Sequence, residues 1–278
     1  MDGRYEDRIR RVLQHIHDHP DGDLSLDALA GVAAMSRFHW HRVFLGMTGE
    51  TLAQAVRRMR AHRAAFWLVS TDWPLERVAA RAGYAGQRAF SRSFRELYGV
   101  TPLAYRRAGC VETVPLLSRQ GDHDMHPVAI RSLPPLRLAA LPHRGPYIGI
   151  GAVFEQVSAI FSSRAFWPQS RGMVGVYYDP PGAVPEAELR SHAGIAVADG
   201  FDMPGDLEEV GLNGGRHAVL TFTGPYDRLH LAYDYLYGDW LPKSGQETAD
   251  RPPFERYLNS PAEVAPAELV TEICAPLA

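Results

Sequence analysis

The stretch Ala82-Gly83-Tyr84, followed by Phe90-Ser91-Arg92-Ser93-Phe94-Arg95 and then Gly99-Val100-Thr101-Pro102, decides how the first half of the chain is read. Phe90, Phe94 and Leu97 recur at i, i+4, i+7, the inner stripe of a helix. Upstream, Leu75, Val78 and Ala79 form a second stripe, with Pro74 where the first turn of a helix tolerates it. Gly83 stands between the two, where a left-handed backbone costs a glycine little. Two short helices joined by a tight turn are predicted, which is the helix-turn-helix arrangement.

The same pattern occurs earlier. Leu29 to Ser36 resembles Val78 to Ala85 at an offset of 49, and His41-Arg42-Val43-Phe44 matches Ser91-Arg92-Ser93-Phe94 at 50. Gly49 and Thr51 correspond to Gly99 and Thr101. In this first copy Ser25 is positioned to cap a helix, and Asp27 in its first turn suits the dipole. Leu26, Leu29 and Ala30 face inward. Ala33 and Ala34 permit the turn, Ser36 caps the second helix, and Trp40 and Phe44 are its apolar anchors. Leu52, Val56, Met59, Phe66 and Val69 predict a long helix joining the copies, and a first helix is expected from Tyr5 to about His19. In such a motif the second helix reads the major groove while the first braces it. On a helix, Phe38, His41 and Arg42 share a face opposite Phe44, and Gln87, Arg88, Ser91 and Arg92 share one opposite Phe90 and Phe94. Arginine can hold guanine through two hydrogen bonds, glutamine can hold adenine likewise, and serine can reach base edges or phosphate. Residues i and i+2 of a helix do not converge, so His39 and His41 make no metal pair.

Residues 24–107 resemble the DNA-binding domain of the AraC/XylS family of regulators, on the motifs quoted above together with Tyr105-Arg106. The resemblance implies that one chain lays two reading helices in neighbouring major-groove segments of double-stranded promoter DNA, with Arg37, Phe38, His41 and Arg42 of the first and Gln87, Arg88, Ser91 and Arg92 of the second on the DNA. It also implies a contact with RNA polymerase.

Charge divides in the same way. Residues 1–108 carry 17 Arg, no Lys and 11 acidic residues, a balance of +6, while the remainder carries −9. A basic N-terminal half fits a polyanionic partner. Absence of a long apolar run argues against a membrane partner, and the unremarkable N-terminus makes the cytoplasm the expected location. Two distant cysteines, Cys110 and Cys274, make neither a disulfide framework nor a zinc site.

The polar stretch Ser118 to Asp124 reads as part of a linker over 109–125. Asp122, His123, Asp124 and His126 are weighed as metal ligands and set below that reading, and no cofactor is expected. A second repeat follows: Gly145-Pro146-Tyr147 returns as Gly224-Pro225-Tyr226, an offset of 79. β-prone residues precede each copy (Leu136 to Leu141, His217 to Phe222). Helical patterns follow, through Val153, Val157, Ile160 and through Leu229, Tyr233, Leu236. The same offset sets Gly175 to Tyr178 against Phe254 to Tyr257, with closing strands at Ala193 to Ala198 and Leu269 to Cys274. Each half is expected to run strand, helix, strand, strand. The fold class is therefore a multidomain chain: an all-α N-terminal domain with two helix-turn-helix motifs over 1–108, and an α+β domain over 126–278 with a groove between its halves.

This second half resembles the GyrI-like effector-binding domain. The matching pieces are Arg144 to Tyr147, Gly175 to Pro180, Gly224 to Tyr226, Trp240-Leu241-Pro242, Phe254 to Leu258 and Glu272 to Leu277. The family's Tyr-Asp before the middle strand is replaced by Ser191-His192. The order of the two parts is that of Rob-like regulators. By the offset of 79, Glu255 aligns with Val176, an acidic residue against an apolar one. The resemblance implies that this glutamate lines a pocket for cationic, often aromatic, ligands. Tyr147, Trp167, Tyr177, Tyr226, Trp240 and Tyr257 are the candidate walls, and a carboxylate among rings favours a cation. A competing expectation has Glu255 paired with Arg256 or Arg251 at the surface. Two other functions are weighed: a hydrolase of strained electrophiles using Glu255 as general base, and a drug-sequestering binder with vestigial DNA binding. The regulator is favoured, since no nucleophile–base–orienter set is visible.

Overall fold

A computed structural model describes residues 3–109 and 125–278. Most of the expected linker, with Cys110, Asp122, His123 and Asp124, lies outside the described residues. The described chain forms two compact units: residues 3–35 with 48–109, and residues 36–47 with 125–278. No helix among the described residues is long and apolar enough to cross a membrane.

The first unit is helical. It contains α1 (Arg4–Asp18), α2 (Leu26–Ala33), α4 (Leu52–Ser70), α5 (Leu75–Arg81), α6 (Gln87–Tyr98) and α7 (Pro102–Ala108). Local chemistry sets the boundaries. The Ser25 hydroxyl accepts from the Ala28 amide at the start of α2. Thr51 and Gln54 form a reciprocal capping box at the start of α4. The turn after α2 passes through Ala34 at φ 51°, and the equivalent turn after α5 passes through Gly83 at φ 74°. A side chain at Gly83 would collide with the Pro20 carbonyl and the Arg60 guanidinium, so here glycine is required by space as well as by backbone. Ala61, Ala64, Ala65 and Leu68 of α4 pack with Val78, Ala79, Phe90, Phe94 and Tyr105. Phe66 is half exposed, and the buried face of α4 runs along Ala61, Ala64 and Ala65, whose small side chains let the neighbouring helices approach. Arg106 ties α7 down by donating to the carbonyls of Leu68 and Trp73.

The second unit is an eight-stranded antiparallel sheet: β1 (Val128–Leu133), β2 (Leu136–Arg144), β3 (Ser170–Tyr177), β4 (Arg190–Val197), β5 (Glu208–Leu212), β6 (Gly215–Thr223), β7 (Phe254–Tyr257) and β8 (Val270–Pro276). The order is β1-β6-β8-β7-β3-β4-β2-β5. Helix α8 (Gly151–Ser163) belongs to the first half. Helix α9 (Leu229–Tyr235), a π-helical turn over Leu236–Trp240 and α10 (Leu241–Ser244) belong to the second. The expected α+β architecture is present, but each half has an additional leading strand. β1 pairs with β6 and β5 with β2, so β1 closes the outer edge of the opposite half. The repeat itself is exact at the turns: the amide of Gly145 bonds the Leu189 carbonyl and that of Gly224 bonds the Leu269 carbonyl, both at 2.9 Å.

Helix α3 (Arg37–Thr48), the second helix of the first sequence repeat, lies with the sheet over residues 37–47. Ser36 at its start donates from its hydroxyl to Asp250 at 2.8 Å. Gly46 meets Gly238 of the π-helical turn so closely that a methyl on Gly46 would stand 2.6 Å from the Gly238 Cα. A glycine within a helix costs about 1 kcal/mol against alanine, and this backbone-to-backbone approach is what that glycine permits.

Candidate DNA-reading helices and effector site

Helix α6 carries an apolar face of Phe90 and Phe94, both fully buried, with Phe94 stacked on Tyr98 and edge-on to Tyr105. Its opposite face presents Gln87, Arg88 and Arg92 to solvent, with Ser91 half-buried beside them. This is the outward face expected of a reading helix.

Helix α3 differs. Arg37 is exposed and Phe38 half-buried, whereas His41 is 1% and Arg42 7% exposed. The sequence expectation that His41 and Arg42 lie on an open face is therefore corrected. Its physical reason is the seating of α3 on the sheet unit. His39, also buried, shows the seating most clearly. One ring nitrogen, Nε2, stands 2.9 Å from the Arg251 carbonyl, and the other, Nδ1, stands 2.9 Å from the Tyr237 hydroxyl. A carbonyl can only accept, so Nε2 carries the proton and Nδ1 accepts from the tyrosine. His39 is thus satisfied as a neutral ring, and burial with the nearby Arg42 charge takes its pKa down to about 3. His41 is lowered to about 4 by the same two causes, yet neither of its ring nitrogens makes a hydrogen bond. Burying such a group unpaired costs about 1–3 kcal/mol.

The Arg42 guanidinium donates to the Phe38 carbonyl of its own helix. Its carbon lies 5.6 Å from the ring centre of Tyr233 and 6.0 Å from that of Tyr237. Those two rings are stacked. Beneath them is Glu255.

Glu255 is 4% exposed, in the middle of the sheet. The Tyr233 hydroxyl donates to its Oε1 at 3.0 Å and the Tyr257 hydroxyl to its Oε2 at 2.7 Å. The Tyr177 hydroxyl lies 2.7 Å from that of Tyr257. Since the Tyr257 proton is committed to the carboxylate, Tyr177 is the donor in that pair. Burial raises the Glu255 pKa above the ordinary carboxylate range, while the three tyrosines and the Arg42 charge favour its ionised form. The surface pairing weighed above does not occur: Arg256 binds Glu272, and Arg251 binds the carbonyls of Asn213 and Gly214.

The register of the sheet corrects the alignment of Glu255 with Val176. Glu255 stands opposite Gly175, while Val176 stands opposite Phe254 on the other face, in the apolar core. An offset of 79 holds at the Gly-Pro-Tyr turns, but in the middle strands Gly175 pairs with Ala193 as Glu255 pairs with Ile273, an offset of 80, so the repeat equivalent of Glu255, like the residue facing it, is Gly175. A methyl on Gly175 would come within 3.0 Å of the Tyr177 ring and hydroxyl. Gly175 therefore makes the room that lets Tyr177 fold over toward Tyr257.

Of the expected walls, Tyr147, Tyr177, Tyr226 and Tyr257 gather through ring contacts, Tyr147 on Tyr177 and Tyr226 on Tyr257. Trp167 is elsewhere, against Phe161 with its indole donating to Ser162. Trp240 lies half-buried in the π-helical turn and makes no ring contact with this group. Three residues were not anticipated as walls: Phe154, which packs edge-on against Tyr257, and Tyr233 and Tyr237. His192 sits behind the sheet, paired with Val176, its ring on Tyr178 and its Nε2 near Glu208. It does not alter the charge around Glu255. His126 packs against Phe222 and Tyr235.

Residues 126–278 match the GyrI-like small molecule binding domain, and residues 29–108 match a helix-turn-helix domain. The chain belongs to the GyrI-like family, joined to an AraC-type DNA-binding part. Regulatory protein SoxS of Escherichia coli is 34% identical over 98 residues, covering 35% of this chain and 92% of SoxS. The right origin-binding protein of Escherichia coli is 26% identical over 277 residues, 93% of this chain and 92% of that protein. An HTH-type regulator of Bacillus subtilis, YbfP, is 31% identical over 102 residues, and the chain spans only 35% of its length. The chain is a DNA-binding AraC-type transcription regulator with a GyrI-like small-molecule binding domain.

Proposed function

We propose that the chain is a cytoplasmic one-component regulator that reads double-stranded promoter DNA, works through RNA polymerase, and responds to a small aromatic cation held at Glu255. The domains are taken as 1–108 and 126–278, joined by a linker. Reading is assigned to Gln87, Arg88, Ser91 and Arg92 of α6, and to Arg37, Phe38, His41 and Arg42 of α3 once that helix is free. The effector is assigned to Glu255 with Tyr147, Tyr177, Tyr226, Tyr233 and Tyr257.

One observation supports the effector class above all: a carboxylate deep in the sheet, hydrogen-bonded by tyrosine hydroxyls, with no cation among the described residues paired to it directly. Burying an ionised group without an opposite charge is costly. A flat cation placed among these rings gains charge pairing and cation–π attraction together. Calorimetry with benzyltrimethylammonium tests this assignment. Glu255→Gln is expected to weaken binding at least tenfold, and equal affinity in parent and variant contradicts it.

A further inference from the structure

We propose that Arg42 is the chain's own occupant of the effector site, and that an aromatic cation displaces it and so frees α3 for DNA. This rests on the reading of Glu255 as a cation site. It adds the identity of the competitor and the means by which ligand reaches the DNA-reading surface.

Three observations carry it. Arg42 places its guanidinium over Tyr233 and Tyr237, and the first of these hydroxyls is bonded to Glu255. Arg42 therefore holds the position on the aromatic platform that a ligand cation would take. Yet among the described residues it forms no direct ion pair, and its guanidinium donates back to the Phe38 carbonyl of its own helix. A free cation able to enter and meet the carboxylate gains an interaction that the tethered guanidinium lacks. One further feature of the helix favours release and partly offsets the two hydrogen bonds of His39 that hold it: His41 is buried with both ring nitrogens unbonded. At the start of α3 the Ser36 hydroxyl donates to the Asp250 carboxylate.

Competition of this kind has a reciprocal signature. If a cation strengthens DNA binding by some factor, DNA strengthens cation binding by the same factor. A ligand can shift α3 only by as much as it prefers the state in which Arg42 has left.

The test uses the full chain and benzyltrimethylammonium as the probe, measured by calorimetry. Two variants remove the internal competitor by independent routes. Arg42→Gln deletes its charge. Gly238→Ala keeps Arg42 but sets a methyl 2.5 Å from the Gly46 carbonyl oxygen, which pushes α3 off. Both are expected to bind the probe at least tenfold more tightly than the parent, about 1.4 kcal/mol. The proposal is overturned if both bind it no more tightly than the parent, or if neither they nor the parent bind it. Retardation of genomic DNA fragments is measured on the same preparations. Fragments retarded by the parent, with no gain in probe affinity in either variant, leave the regulator standing and remove the competition. A gain in probe affinity with no retarded DNA does the reverse.

Discussion

Arg42 lies with its guanidinium carbon 5.6 Å from the ring centre of Tyr233, and the hydroxyl of that ring donates to Glu255 at 3.0 Å. A residue that the sequence pattern assigns to DNA is thereby one ring away from a residue that the family pattern assigns to a small molecule.

The aromatic box depends on a missing side chain. With Gly175→Ala, the new methyl meets the Tyr177 ring and hydroxyl at 3.0 Å and must displace them, breaking the relay from Tyr177 through Tyr257 to Glu255. We expect a loss of aromatic-cation affinity of about tenfold, and overpacking that lowers stability by about 1–3 kcal/mol. Thermal melts with and without the cation check both. A variant with unchanged affinity and unchanged melting contradicts the role given to Gly175.

Acid should loosen α3. His39 is held neutral, its pKa depressed to about 3 from 6.5, and that of His41 to about 4. The seated state thus binds fewer protons than the released one. Its stability is complete above pH 6.5 and falls as pH drops below 6.5 toward these lowered values. The groups facing His39 are the Tyr237 hydroxyl, the Arg251 carbonyl and the Arg42 charge on its own helix; burial and the Arg42 charge oppose a second positive charge and outweigh the carbonyl, which favours it. At pH 5.5 the cost for His39 alone is on the order of 1 kcal/mol. Amide exchange in α3, corrected for intrinsic rates, should be faster at pH 5.5 than at 7.5. His39→Gln should shrink the difference, and identical protection at the two pH values would show the assignment to be wrong.

The turn of the second helix-turn-helix tolerates no side chain. Gly83→Ala combines positive φ with a collision against the Pro20 carbonyl and Arg60. We expect a stability loss of roughly 1–3 kcal/mol, since both strain and overpacking act. Chemical denaturation followed by circular dichroism measures it. The matching turn, at Ala34 with φ 51°, has paid the conformational cost already, so Ala34→Gly should raise stability or leave it unchanged.

Much of this architecture was readable in advance, for reasons that particular residues explain. Phe90 and Phe94 at helical spacing, Gly83 at the turn and Ser25 at a cap are local signals, and local signals suffice for helices. The leading strands β1 and β5 were missed because each is an edge whose partner comes from the opposite half, so Val128–Leu133 and Glu208–Leu212 carry mixed exposed patterns rather than clean alternation. The register shift that put Val176 in place of Gly175 arose because one extra residue enters between the turn and the closing strand, which a constant offset hides. The seating of α3 left one trace in the sequence, a glycine at position 46 within a helical pattern, where no turn calls for one. Tyr233 and Tyr237 were legible only as a helix, since i and i+4 spacing gives a face and not its neighbour across the sheet.

The assignment of α6 to DNA is the claim on which the others rest, and it is tested by capturing genomic DNA with the purified full chain alongside Arg92→Ala. The parent should retain discrete fragments with an affinity that falls steeply as salt rises. Arg92→Ala should bind those fragments about 1–3 kcal/mol more weakly while binding benzyltrimethylammonium as the parent does. Equal retention of the same fragments by parent and variant, or no retention above bulk DNA by either, would contradict the account.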